Sequence, residues 1–392
     1  MRCIKKHAVT LRRLIAGGAV GLAVTTWGET PPSPASVFIH PTILGAGSCS
    51  TSGCHGGADE KSRQHIVWSQ ADVHSRAYAT LTTARSARLA EALRIPDPAT
   101  SARCTTCHAP ALTVPSVQLA PNVKATEGVS CASCHGPASN WLRSHTRADY
   151  THADRVATGM RDLANLHVRA NTCVACHQNI DPELVNTGRH PRLIFELDGQ
   201  AASEPKHWRE RAGWNGAQAW YVGQAVALRE MSAALLSGKA DAVRESPRWE
   251  GLLWVLQRTG DQNARTLSTP SASKDSSVYA DAVAACDQLA KTAAASFSPA
   301  QTASFLSRLA ATHPEFNDRS ISREMHACRA ERLVLALDRL LAALPAEQRP
   351  PAAGPALDRL FRYVQSVPDF SPGDFAGALA AFSKTVPVPA AN

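Results

Sequence analysis

Hydrophobic and polar positions divide this chain into two unlike halves near residue 205. Downstream, apolar residues recur at helical spacing: Leu228, Met231 and Leu235; Ala282, Cys286 and Leu289; Leu333, Leu337, Leu340 and Leu344. A repeat of three or four residues gathers such positions on one helix face, whereas strand-like alternation is absent. Gly238, Pro247, Pro299, Pro314, Pro345 and Pro368 punctuate the pattern and are expected to bound the helices. The polar stretch from Gly260 to Ser277 reads as an exposed loop. Ser371-Pro372 reads as a helix start, with proline at the first helical position. Residues 205–392 are therefore predicted to form an antiparallel helical bundle with no chemical motif of its own.

Upstream the pattern is different. Residues 45–204 contain few long aliphatic runs, too few to build a core unaided. At the start, Arg2, Lys5, Lys6, Arg12 and Arg13 precede an apolar stretch from Leu14 to Val24, which Gly17, Gly18 and Gly21 dilute. It is short for a membrane span and reads as a secretory signal over residues 1–28, cleaved between Thr25 and Glu29. An uncleaved anchor is the alternative. Cys3 lies before the apolar run, so it is not a lipoprotein cysteine. A Pro- and Ser-rich linker is assigned to residues 29–44. The formal charge of +8 includes the five cations of the signal, so the exported chain is closer to neutral. No basic stripe with interleaved aromatics is present, which argues against a nucleic-acid partner.

The cysteines supply what the weak core lacks. Cys104-Thr-Thr-Cys107-His108, Cys131-Ala-Ser-Cys134-His135 and Cys173-Val-Ala-Cys176-His177 are three C-x-x-C-H motifs, the attachment signature of haem c (heme c). Two thiols add to the porphyrin vinyl groups and the adjacent histidine becomes the proximal iron ligand. Cys49-Ser-Thr-Ser-Gly-Cys54-His55 has two extra residues between its cysteines but keeps the Cys-His end. A disulfide between Cys49 and Cys54 is its plainer reading. Zinc is disfavoured, because a histidine directly after a cysteine cannot easily share one tetrahedral centre with it. Four haems is the expected count. Four porphyrins would give residues 45–204 the apolar bulk they need, and the short interval from His108 to Cys131 would crowd them together.

Each iron also needs a sixth ligand, or stays open to small molecules. Twelve of the fifteen histidines lie between His40 and His207, whereas Met160 is the only methionine of that region. Bis-histidine ligation and low potentials follow as the expectation. The histidines outside the motifs are His40, His65, His74, His145, His152, His167, His190 and His207. Eight of the eleven cysteines belong to the motifs and Cys3 to the signal. Cys286 and Cys328 remain, and in an oxidising compartment they are expected to form a disulfide within the bundle.

Trp68-Ser-Gln-Ala-Asp72-Val-His74-Ser-Arg-Ala-Tyr78-Ala-Thr-Leu81, together with the run CASCHGPASNWLRSH from Cys131 to His145, resembles the tetrahaem cytochrome c-554 family. The resemblance covers about residues 45 to 200. It implies that His74 reaches the haem of His177 and that His145 reaches the haem of His55. It also implies a five-coordinate haem at His108, for which His65 and His152 are possible ligands here. The segment Gly188 to Glu196 looks like a closing element of related multihaem chains, and His190 goes to the haem of His135 by elimination. The long Cys49/Cys54 spacing and the large C-terminal half depart from the family.

The resulting expectation is an all-α protein: a tetrahaem cytochrome c domain with little regular sheet, followed by the helical bundle. It would be a periplasmic electron carrier working between redox protein partners, not an enzyme, and not stably inserted in a membrane after signal cleavage. The alternative is a redox enzyme acting on a nitrogen oxide or related small molecule at an open haem on His108. A third reading has the helical half docking a partner. No C-x-x-C-K motif of a catalytic multihaem reductase is present.

Overall fold

The computed structural model describes residues 41–267, 277–365 and 369–386. The expected signal at 1–28, the linker up to His40, residues 268–276 of the loop from Gly260 to Ser277, and Pro368 lie outside the described residues. Residues 41–392 make one compact unit. Among the described residues there are seventeen α-helices and no sheet; one isolated parallel bridge joins Ile43 to Leu119. The fold is all-α.

The motif-bearing region is built from short pieces joined by loops and 3-10 turns. In order they are α1 (Gln64–Gln70), α2 (Ala77–Leu81), α3 (Ala84–Ala92), α4 (Ala102–His108), α5 (Cys131–His135) and α6 (His152–Ala157). Then come α7 (Leu166–His177), α8 (Pro182–Asn186) and α9 (Leu197–Ser203). The apolar cluster of this region is small: Leu81, Ala90, Leu93, Ile95, Ala99, Cys104 and Leu184. It ties α8 to α4 through Leu184 and Cys104.

The main core is of another order. The long helices α10 (Gly216–Leu236), α11 (Ala242–Arg258), α13 (Ser277–Ala295), α14 (Pro299–Ala310), α15 (Arg323–Ala343), α16 (Ala353–Gln365) and α17 (Pro372–Ser383) supply it, with the one-turn α12 (Gln262–Arg265) between α11 and α13. Helix α10 runs through the middle, packed on α7, α9, α11, α13 and α15. It is buried nearly all round, with Trp220, Tyr221, Val226 and Leu228 among its buried residues, as a helix without a polar face must be. A Cβ on its Gly223 would stand 2.8 Å from Cβ of Leu197, so only glycine allows this approach of α10 to the start of α9. The predicted stripes are inside: Leu228, Cys286, Leu333, Leu337 and Leu340 have no exposed surface.

Three expectations need correction. Pro247 does not end a helix but sits inside α11. It lies in the second turn, where the carbonyl deprived of its donor belongs to Val243, an exposed residue (86%) at the helix start. The expected loop after Gly260 includes a helical turn, α12, capped by the Asp261 carboxylate on the N–H groups of Asn263 and Ala264. Cys286 and Cys328 are free thiols. Cys286 belongs to α13, which lies along α10, whereas the backbone of Cys328 on α15 lies against Gly251 of α11. The two cysteines face different helix interfaces, and helical spacing alone does not reveal which interface a face meets. The main core also begins at Leu166, Ala170 and Val174 of α7, upstream of residue 205. The helix that ends in Cys173, Cys176 and His177 is therefore anchored in the bundle.

Candidate haem sites

Each motif histidine is placed by local structure and, with one exception, by a hydrogen bond at Nδ1. At the first motif, His55 N–H bonds the Cys49 carbonyl (3.1 Å) and its Nδ1 lies 3.0 Å from Gln64 Oε1. The two extra residues are taken up by a tight reversal: a Cβ on Gly56 would fall 1.8 Å from the Ser50 carbonyl oxygen. Glycine after the Cys-His pair is therefore a steric requirement here. At the second motif, helix α4 carries Cys104, Cys107 and His108, and His108 Nδ1 meets the Ala77 carbonyl (3.0 Å) and Thr80 Oγ1 (2.9 Å). At the third, α5 is a single turn ended by Gly136 at φ +85°. At the fourth, His177 closes α7 and its Nδ1 lies 3.4 Å from the Gln200 amide.

Three of these four histidines face a second histidine ring. His55 and His145 have ring centroids 6.1 Å apart with planes 17° from parallel. His74 and His177 are 6.0 Å apart at 78°, and His108 and His190 are 6.4 Å apart at 78°. Two imidazole nitrogens bonded to one metal ion, each at about 2 Å, put the ring centroids roughly 6 Å apart. The facing rings stand at the spacing a shared iron would require. The sequence-derived pairs His74/His177 and His145/His55 are thus brought together. His190 is not where elimination put it: it faces His108, not His135.

The reason for that correction lies in α8. Leu184 packs in the cluster that contains Cys104, so the chain leaving α8 passes over α4. His190 N–H then bonds the Leu184 carbonyl (2.9 Å) after a turn made by Gly188 and by Arg189 at φ +60°. A Cβ on Gly188 would stand 2.8 Å from both the Leu184 carbonyl oxygen and Leu93 Cδ1. The ligands suggested for His108 are elsewhere. His65 packs on Trp68, with ring centroids 5.5 Å apart, and His152 Nε2 lies 3.1 Å from Asp162 Oδ1. Among the described residues, His135 is the motif histidine for which no facing ring pair is found.

The electrostatics suit ligation. Burial pushes His135 down to about 4, helped by the charges of His207, His55 and Arg161. The neutral imidazole, which is the form that binds metal, is thereby held at neutral pH. His177 is lowered by burial and then by the charge of His74. His74 goes the other way, because Asp72 accepts a hydrogen bond at its Nδ1 (3.0 Å). Asp72 is buried and also accepts from the His74 backbone N–H (2.9 Å), so one carboxylate fixes both backbone and ring.

The cysteines connect the sites. The thiols of Cys49 and Cys131 influence each other, as do those of Cys107 and Cys176, so each of these pairs of motifs is adjacent. Cys173 and Cys176 both feel the charge of Cys134. In space the motifs therefore run first, third, fourth, second. Burial raises the free thiols Cys134 to about 11 and Cys173 to about 12, so neither is poised as an exposed reactive thiolate. Trp141, edge-on to His145 with ring centroids 5.5 Å apart, has a buried indole N–H without a protein acceptor. A buried donor lacking a partner beside the first site fits a bound group that carries acceptors, as the propionates of haem do.

Sequence comparison adds one finding. Residues 48–136 match the family described as cytochrome c554 and c-prime, a segment that includes the Cys49/Cys54, Cys104/Cys107 and Cys131/Cys134 motifs. No curated protein and no solved structure matches the chain. Over that segment the chain is similar to cytochrome c554 and c-prime, and its thiols and imidazoles are arranged as attachment of haem c requires.

Proposed function

We propose that the protein is an exported, periplasmic electron carrier holding four haem c groups, and that it passes electrons between redox protein partners rather than transforming a substrate. The observation that carries this reading is the three facing histidine pairs. Bound haem supplies reversible one-electron chemistry at iron. The chain's own residues do the rest. Cys49 and Cys54, Cys104 and Cys107, Cys131 and Cys134, and Cys173 and Cys176 tether the four groups, and His55, His108, His135 and His177 ligate from one side. His145, His190 and His74 close three of the sites from the other side, leaving small molecules no position there. The succession first, third, fourth, second gives a continuous route, with the sites of His55 and His108 at its ends as the places for donor and acceptor.

The signal expected over residues 1–28 supports export, and no described helix is long and apolar enough to cross a membrane. His190 opposite His108 speaks against an enzyme built on an open haem there. Intact mass spectrometry of the mature holoprotein from the periplasmic fraction tests the count: the excess over the processed polypeptide should equal four haems. An excess of three, with Cys49 and Cys54 unmodified, would retire the first site.

A further inference from the structure

We infer that the protein has a second kind of site: a pocket for a small organic carboxylate between the motif region and the bundle, with Arg332 binding its charge. The site goes beyond electron transfer and does not depend on the number of haems. A cavity of about 700 Å3 lies there. One side is formed by the chain around α8 and from Arg192 to Ile194. The other is formed by the end of α10, the start of α11, and α15 at Arg332. No cysteine or histidine lines it, so it is separate from the haem attachment positions.

Arg332 is what singles this cavity out. The residue is only 5% exposed. Its Nη2 lies 3.9 Å from Met231 Sδ, a weak acceptor, and its Nη1 is buried with no hydrogen-bond partner. Met231 also lines the cavity, which puts the tip of the guanidinium at its wall. Burial works against the charge of Arg332, and the more distant Glu331, Cys328 and Glu245 favour it without reversing that effect. Arginine nevertheless keeps its proton in proteins. A buried cation without a carboxylate partner is costly, and an anion in the cavity would supply the partner.

Most other charges around the cavity are engaged already. Asp181 pairs with Arg103 (2.6 Å), Glu230 with Arg229 (2.6 Å), Glu245 with Arg192 (2.6 Å) and Arg248 (3.2 Å), and Asp241 with Arg244 (3.4 Å). Among the described residues that line it, Arg332, Lys239 and Glu331 remain outside any ion pair. Glu331 does not close on Arg332, because successive residues of a helix do not face each other. The positive end of α11 opens on the same space, and its N-cap residue Asp241 makes no side-chain cap. The balance favours a single negative charge.

The walls decide the class of ligand. Ile180, Val185, Leu193, Ile194 and Ala234 give the cavity apolar sides. Its volume falls in the range of sites for small organic molecules, roughly 300–1,000 Å3. A planar guanidinium matches a carboxylate through two parallel hydrogen bonds. An apolar body ending in one carboxylate suits both features.

Isothermal titration calorimetry of the full-length holoprotein, with hexanoate as the probe, tests the assignment. The parent should bind one hexanoate per chain. Hexanamide, which has the body without the charge, and inorganic phosphate, which has the charge without the body, should each bind weaker by roughly tenfold or more. Arg332→Met keeps an apolar stem, removes the unpaired charge, and should lose roughly tenfold or more in hexanoate affinity. Ala234→Leu keeps Arg332 but fills the cavity, and should lose as much; Ala234 belongs to neither apolar cluster, so the fold should survive. Equal hexanoate affinity in the parent and in either variant overturns the proposal, as does phosphate binding as tightly as hexanoate. If a haem propionate already fills the cavity, the parent holoprotein will show no saturable hexanoate binding, and the proposal fails.

Discussion

At the residue scale, what distinguishes the sites is the partner of each Nδ1. Backbone carbonyls serve His145, His190 and His108, an amide oxygen serves His55, but a buried carboxylate serves His74. A carboxylate makes the imidazole more electron-donating than a neutral acceptor does, and that favours ferric iron. On the ligation proposed above, Asp72 would be a positioning residue for the haem shared by His74 and His177, which should have the lowest potential of the three facing pairs. Asp72→Asn preserves the cap on the His74 backbone, because asparagine caps as well as aspartate. Redox titration should find that one haem potential rises, on the order of tens of millivolts, a tenfold change being about 59 mV for one electron. The spin state should be unchanged. If no haem potential moves, Asp72 has only a structural role.

At the scale of elements, α7 joins the motif region to the bundle, and a charge cluster reinforces the joint. Asp287 on α13 accepts from Arg229 Nη1 of α10 (2.6 Å), lies 3.0 Å from His167 Nε2 of α7, and pairs with Lys291 (2.8 Å). Burial alone would raise its pKa, but the hydrogen bonds from Lys291, His167 and Arg229 outweigh burial and hold it well below the usual carboxylate range. A carboxyl depressed in the folded state contributes stability that is complete above its unfolded pKa and is lost as pH falls through the folded one. Asp287→Asn should therefore lower stability at pH 7 by about 1–2 kcal/mol. The gap between variant and parent in thermal or denaturant unfolding should shrink as the pH drops below about 4. A gap that persists at low pH would mean that packing, not charge, is lost.

Taken as a whole molecule, residues 41–392 are one compact unit with very uneven apolar content. From Leu166 onward the chain contributes to a large continuous core, whereas the region before it has only the small cluster around Leu81, Leu93 and Cys104. Stability is local in such a molecule. Protein produced without haem attachment should keep slow hydrogen exchange in α10, α11 and α15 and lose protection across residues 41–165. Equal protection of both regions would show that the motif region folds without its cofactors.

The sequence by itself determined whatever is local in the chain. Attachment motifs are written in consecutive residues, and helix faces follow from spacing alone, as the buried stripe of Leu333, Leu337 and Leu340 illustrates. The His74 and His145 pairings were legible because whole segments resemble known ones. Tertiary structure decided what depends on residues far apart: that His190 meets His108 through the packing of Leu184 beside Cys104, and that Cys286 and Cys328 face different helices. A distal ligand arrives from a remote segment, and its target is set by which helices pack together. Spacing along the chain does not encode that packing.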